Sequence, residues 1–184
     1  MEEYSAKLAE AVTQLKLGNG AEDGVTMGPL IDDAAADNVV AMIDDATAKG
    51  AKVMLGGGRS KLGGSFIEPT ILSGVTNNMR VFREEIFGPV SPLVSFSTEE
   101  EAIAIANDTQ FGLAAYFCAR DVGRIWRVAE GLEYGIIGIN EGIISNAMAP
   151  FGGIKESGNG REGSKYGLDD YLEIKYLCIG GIDA

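Results

Sequence analysis

Gly158-Asn159-Gly160-Arg161-Glu162-Gly163 spells G-x-G-x-x-G, a spacing that can let a backbone approach a pyrophosphate. A dinucleotide fingerprint of this kind follows a strand, opens a helix and precedes an acid about 20 residues on. Here Ile154-Lys155-Glu156-Ser157 comes before it, and about 20 residues later stands only Asp183-Ala184. The spacing therefore predicts a glycine-rich loop and no Rossmann site. Gly158 to Lys165 also approaches a P-loop, but it ends Gly-Ser-Lys where phosphate cradling needs Gly-Lys-Ser/Thr. The chain has no histidine, which removes Ser-His-Asp and Cys-His catalysis and His-ligated zinc from its own residues. Cys118 and Cys178 form no CxxC pair, so neither a disulfide framework nor a metal site is expected. Cys118, inside Ala-Tyr-Phe-Cys-Ala, is expected to be a small buried hydrophobe.

Carboxylates remain. Glu84-Glu85 precede Ile86-Phe87-Gly88-Pro89, and Glu99 to Glu101 stand at a helix start. Taken alone, each of these acids reads as solvated, and Pro150-Phe151-Gly152-Gly153 reads as a turn with an aromatic plug. The balance of 15 basic and 27 acidic residues leaves a formal charge of −12, which argues against a phosphate-neutralising face and hence against nucleic acid or anionic membrane partners. With 184 residues, 46% of them hydrophobic, the chain can bury a core of ordinary size. No apolar run approaches the roughly 20 residues of a membrane span, and no signal peptide is visible at the start. A soluble cytoplasmic protein is the expectation.

The elements that must position these residues alternate between helix and strand. Glu2 to Leu17 carries a helical stripe of Leu8, Val12 and Leu15 and stops at Gly18-Asn19-Gly20. Asp32-Asp33 suit a helix N-terminus, and that helix should run to about Lys49 with Gly50 as C-cap. Val53-Met54-Leu55 reads as a short buried strand, and Phe66 to Leu72 as an edge strand because of Pro69. Val90 to Phe96 follows, then Thr98 and Glu101 form a capping box for a helix to about Asn107. Leu113 to Ala119 is expected as a buried strand, Asp121 as the cap of a helix to about Glu130, and Tyr134 to Ile139 as another strand. This order predicts one α/β domain with an open, largely parallel sheet and flanking helices. Residues 140–167 hold no long periodic element, and loops of that length are usually functional. Finally, Leu172, Ile174, Tyr176 and Cys178 share one face of a strand from Tyr171 to Ile179, with Glu173 and Lys175 on the other. Such a strand must pair, either with its own sheet or with a second subunit.

The combination of motifs is more specific than any one of them. Glu84-Glu-Ile-Phe-Gly-Pro89, Asn107-Asp-Thr-Gln-Phe-Gly-Leu113, Pro150-Phe-Gly-Gly153 and Ser157-Gly-Asn-Gly-Arg-Glu162 follow in that order. The series resembles the C-terminal part of the aldehyde dehydrogenase superfamily over nearly the whole chain. Asn140-Glu-Gly-Ile-Ile-Ser-Asn146 and the segment Gly163 to Tyr176 resemble its succinate-semialdehyde branch.

That resemblance implies roles. Glu85 would accept both hydroxyls of the nicotinamide ribose of NAD or NADP, and Phe87 would lie beside the nicotinamide. Ser145 would hydrogen-bond the distal carboxylate of the substrate, with arginines from another part of the protein supplying charge; a loop serine capping its own backbone is the alternative. Phe151 would wall the substrate tunnel. Arg161 and Glu173 match positions that pair across a subunit boundary, and Glu162 matches an acid near the water path, although Asn159 departs from the usual residue there. The nucleophilic cysteine, general-base glutamate and Rossmann domain of the family match nothing in this chain. The expected organisation is residues 1–139 as the C-terminal part of the catalytic domain, 140–167 as a glycine-rich substrate- and cofactor-side region, and 168–184 as an oligomerisation strand and tail. The resemblance thus implies an enzyme acting on a small aldehyde as a homo-oligomeric dimer or tetramer, with this stretch inactive alone. A glutarate-semialdehyde enzyme is the nearer alternative, and a non-catalytic oligomerisation or regulatory module on the same scaffold the further one.

Overall fold

A computed structural model describes residues 1–182; Asp183 and Ala184, the end of the expected tail, lie outside the described residues. The chain groups into two compact units, one of Met1–Phe96 and one from Ser97 onwards.

In the first unit, α1 (Glu2–Val12) ends earlier than its apolar stripe suggests, at the Thr13 C-cap, where the Thr13 hydroxyl donates to the Glu10 carbonyl. The second helix, α2 (Asp33–Ala48), starts where Asp32 accepts from the Ala35 amide at 2.7 Å, and Gly50 follows it at φ +103°. Three strands make its sheet: β1 (Lys52–Leu55), β2 (Thr70–Ser73) and β3 (Val90–Pro92). β1 pairs antiparallel with β2, and β2 pairs parallel with β3.

This order corrects two expectations. β2 is the central strand, because Pro69 sits just before the paired segment and costs it no ladder amide. β1 is an edge strand and its residues are largely exposed, with only Leu55 half-buried. Ala36, Val39, Met42, Ile43 and Ala46 of α2 form the core together with Ile67 and Leu72. A one-turn helix, α3 (Arg80–Arg83), adds buried Val81.

The second unit holds α4 (Glu99–Asn107), β4 (Phe111–Gly112), β5 (Ala114–Phe117), α5 (Val122–Gly131), β6 (Ile136–Ile139), β7 (Ile154–Lys155) and a 3-10 helix over Tyr166–Tyr171. Thr98 caps α4 as expected, its Oγ1 accepting from Glu101 N at 3.1 Å, while the Glu101 carboxylate reaches back one residue beyond the N-cap and accepts from Ser97 N at 2.7 Å. Asp121 caps α5 through the Arg124 amide at 2.6 Å. β5 and β6 pair parallel, while β4 and β7 form a separate antiparallel pair. The protein is therefore α/β, but among the described residues the strands form three small sheets of mixed sense and not one open, largely parallel sheet.

Burial is unequal. The largest fully buried side chains among the described residues, including Met42, Ile43, Ile67, Ile71, Leu72 and Met79, all belong to the first unit. In the second, Tyr116 of β5 is exposed and Trp126 of α5 is 64% exposed. Cys118, expected to be buried, is exposed beyond the end of β5, and Cys178 is exposed and free as well. Tyr171 closes the 3-10 helix, and the residues from Leu172 to Ile182 form no strand within the described residues. Their apolar side chains are open to solvent, Ile174 completely so. The expected terminal strand finds no partner among the described residues because no edge takes it up. No helix of the described residues is long and apolar enough to cross a membrane.

Candidate active-site residues

The loop from Glu84 to Pro89 is held by its alternate residues. Arg80 Nε donates to Glu84 Oε1 at 2.7 Å and Arg80 Nη2 to Glu84 Oε2 at 2.8 Å, a two-point grip of the fork-to-fork kind. The arginine is itself held. Its amide donates to Asp45 Oδ2 at 2.9 Å and its Nη2 to Asn38 Oδ1 at 3.0 Å, both on α2. The Arg80 guanidinium draws the Glu84 carboxyl below its ordinary pKa, against a smaller opposing effect of burial. Asp45 is lowered too, first by the Arg80 amide and then by Lys49.

Farther along, Ile86 packs against the core and Gly88 lies on α2. A Cβ at Gly88 would stand 2.6 Å from Val39 Cγ2, so only glycine lets the loop come this close. Pro89 then feeds β3, with its carbonyl accepting the Thr70 amide at 2.8 Å.

The two remaining side chains point away from these anchors. Glu85 is exposed, and its carboxylate makes no hydrogen bond or ion pair among the described residues. Phe87 is 82% exposed and stands at φ +46°, a conformation that costs a non-glycine residue of this size free energy and persists only where neighbours impose it. An open carboxylate two residues from an open ring can accept two hydroxyls and offer one apolar face.

In the second unit, Ser145 lies in the irregular stretch after β6. Its side chain is exposed, and its hydroxyl bonds no described residue, so it does not cap its own backbone. The stretch is pinned on both sides. Upstream, Asn140 bonds Ala119 through both halves of its amide. Downstream, Asn146 Oδ1 accepts the Met148 amide at 2.8 Å, and the Ala147 carbonyl accepts the Ser164 amide at 2.9 Å.

The glycine-rich segment closes on this stretch. Phe151 and Glu162 exchange backbone hydrogen bonds of 2.9 Å and 2.7 Å. Gly163 has φ +64°, and a Cβ there would meet the carbonyls of Ala149 and Ala147 at 3.1 Å and 3.2 Å. This segment therefore serves to seat one backbone against another.

Phe151, Arg161 and Glu162 line one cavity of about 620 Å3, together with Leu113, Asp170 and Tyr171. Phe151 is half-buried in its wall and Glu162 is exposed. Arg161 Nη1 donates to the carbonyls of Gly153, Asn159 and Gly160 at 2.7, 3.0 and 2.9 Å, and its amide donates to Asp170 Oδ2 at 3.2 Å. Within this one chain, therefore, Arg161 ties the glycine-rich loop together and makes no ion pair with Glu173, which is exposed. Ser145 and Glu173 do not line this cavity.

Two residues of the site escaped the sequence reading. Arg80 could have been found from its place four residues before Glu84 on a helical turn. Asn140 could have been found as an asparagine ending a strand, where a positive φ is tolerated.

The profile of the Aldehyde dehydrogenase family matches residues 1–177. A glutarate-semialdehyde dehydrogenase of Pseudomonas aeruginosa is 61% identical over 176 residues, 96% of this chain and 36% of that protein. The NADP(+) succinate-semialdehyde dehydrogenase GabD of Escherichia coli is 59% identical over 177 residues, 96% of this chain and 37% of that one. Among solved structures, a succinate-semialdehyde dehydrogenase from Burkholderia pseudomallei superposes with a TM-score of 0.94 at 59% identity, covering 97% of this chain and 37% of that one. The chain spans about a third of the length of the curated relatives it matches.

Proposed function

The chain belongs to the aldehyde dehydrogenase family, and from that premise we propose that it is the C-terminal third of an NAD(P)-dependent enzyme that oxidises an ω-carboxylated semialdehyde, succinate semialdehyde before glutarate semialdehyde. One observation carries the substrate reading. A stretch pinned at Asn140 and again at Asn146 and Ala147 presents the Ser145 hydroxyl to solvent with no described partner of its own. The relatives reported above are named for succinate and glutarate semialdehyde, aldehydes that carry a carboxylate at the far end.

The residues present fit a nicotinamide cofactor. The Glu85 carboxylate would accept two ribose hydroxyls, and the Phe87 ring, already turned out at positive φ, would face the nicotinamide. When bound, that cofactor supplies the hydride acceptor. Ser145 would donate to the distal carboxylate, and Phe151 would keep water from the reacting carbon until hydrolysis. Glu162, on the exposed rim beside Phe151, is the accessory acid near the water path. The nucleophilic cysteine and general-base glutamate belong to the remainder of the enzyme, so these 184 residues by themselves are expected to oxidise no aldehyde.

Assembly follows the same reading. The exposed segment Leu172 to Ile179 would pair with a second copy as a dimer or tetramer forms, and Arg161 and Glu173 would meet across that boundary. Residues 140–167 are the substrate-side region and 168–184 the assembling tail.

The test is kcat/KM of the full-length enzyme for succinate semialdehyde, glutarate semialdehyde and neutral butanal. A strong preference for an acid supports the reading. Equal values leave an aldehyde dehydrogenase without a carboxylate site.

A further inference from the structure

The last hydrogen bonds of the β5–β6 ladder are made by a side chain. Phe117 faces Ile139 at the end of the parallel register, and the Asn140 amide still donates to the Phe117 carbonyl at 3.0 Å. Beyond that, the backbone leaves the sheet, because Asn140 has φ +56°. Its carboxamide takes over the pairing. Ala119 N donates to Asn140 Oδ1 at 3.0 Å, and Asn140 Nδ2 donates to the Ala119 carbonyl at 2.7 Å. A carboxamide offers one acceptor and two donors, so it can stand in for a peptide group, and asparagine is among the few residues that also accept this backbone region.

The chain departs at once into the loop of Ser145. Glu141 Oε1 accepts the Gly142 and Ile143 amides at 2.9 Å and 3.1 Å, which sets the first turn. Five residues after Asn140 comes Ser145, and the next fixed point is Asn146. The upstream direction of the loop is thus decided by one side chain bound to the backbone just beyond the end of β5.

We infer that Asn140 is a positioning residue for aldehyde binding: by clasping Ala119 it aims residues 141–145 and sets KM and acid selectivity without touching substrate. The inference rests on the substrate reading proposed above. No other side-chain hydrogen bond ties residues 140–144 to the segment that follows β5 among the described residues. A loop freed there would sample many directions, and a misplacement of about 1 Å is enough to cost a bound substrate much of its productive geometry.

Asn140→Gly in the full-length enzyme isolates the clasp, since glycine takes φ +56° without strain and loses only the side-chain bonds. The aldehyde KM should rise about tenfold and the preference for succinate semialdehyde over butanal should fall by about the same factor. The cofactor KM should stay within about twofold of wild type. Amides of residues 141–149 should exchange faster, and Asn140→Ala, which adds backbone strain, should do no better than glycine. A glycine variant with wild-type aldehyde KM, selectivity and exchange overturns the inference, as does a parallel rise in cofactor KM. An unmutated enzyme without acid preference refutes the substrate reading alone; aldehyde KM and exchange in Asn140→Gly then still decide the clasp.

Discussion

Arg80 holds both carboxylate oxygens of Glu84, at 2.7 Å and 2.8 Å, and so separates the duties of two adjacent glutamates. Glu84 is spent on holding the loop, and Glu85 is left open beside it. In the full-length enzyme, Glu85→Gln should weaken cofactor placement directly, lowering the hydride-transfer rate as well as raising cofactor KM. Glu84→Gln keeps the shape but loses the charge-assisted grip, and for a partly exposed pair a rise of about two- to fivefold in cofactor KM is expected. Steady-state and single-turnover kinetics separate the two. A Glu85→Gln enzyme with unchanged cofactor KM and transfer rate removes Glu85 from the site.

The same grip has a pH signature. Arg80 lowers the Glu84 pKa in the folded chain, so the folded state binds that proton less readily than the unfolded state does. The resulting stabilisation is complete above the ordinary glutamate pKa and fades as pH falls through the lower folded value. Amide exchange of residues 84–88, followed from pH 7 downward and corrected for intrinsic rates, should show protection holding until the acid range and then falling. In Glu84→Gln this acid step should be absent, leaving only that of Asp45.

Gly88 places the loop against α2, and a methyl group there has nowhere to go. Gly88→Ala should cost about 1–3 kcal/mol by overpacking against Val39 and should raise cofactor KM as Glu85 and Phe87 shift. Removing the obstacle should reverse part of this, so Gly88→Ala/Val39→Ala should bind cofactor better than Gly88→Ala alone. Denaturant melts and cofactor titrations of the single and double variants check both statements.

Ser145→Ala tests the carboxylate contact. A hydrogen bond to a charged group is worth about 1.5–3 kcal/mol, or roughly 10- to 150-fold in kcat/KM for the acid. Butanal, with no carboxylate to lose, should change little. Equal losses for both aldehydes assign Ser145 to loop structure.

How much of this was legible depended on the range of the signal. Asp32, Thr98, Glu101 and Asp121 declared their helix starts because a cap is a contact over two or three residues. The parallel pairing of β5 with β6 followed from the helix between them. Pro69 misled, since the rule that confines proline to edges concerns residues inside the ladder and this one stands just before it. Cys118 misled because its apolar neighbours were read as a buried strand, whereas β5 ends at Phe117. The motif singled out Glu85 and Phe87, and the four-residue spacing of Arg80 and Glu84 could have suggested their grip, but Asp45 lies 35 positions before Arg80 and no local pattern announces that contact. Asn140 could be suspected from its place at a strand end, but its partner, Ala119, lies 21 residues earlier, past the end of β5, and no local pattern names it.

The unequal interiors of the two units bear on how the chain comes apart. A central strand with Ile71 and Leu72 wholly enclosed resists opening, whereas α5 keeps Trp126 largely in water and offers little to lose. Such a polypeptide has no single melting event. Its calorimetric and van't Hoff enthalpies will disagree, and a tryptophan signal, coming from Trp126 alone, will report the softer part while the amides of Ile71 and Leu72 are still closed.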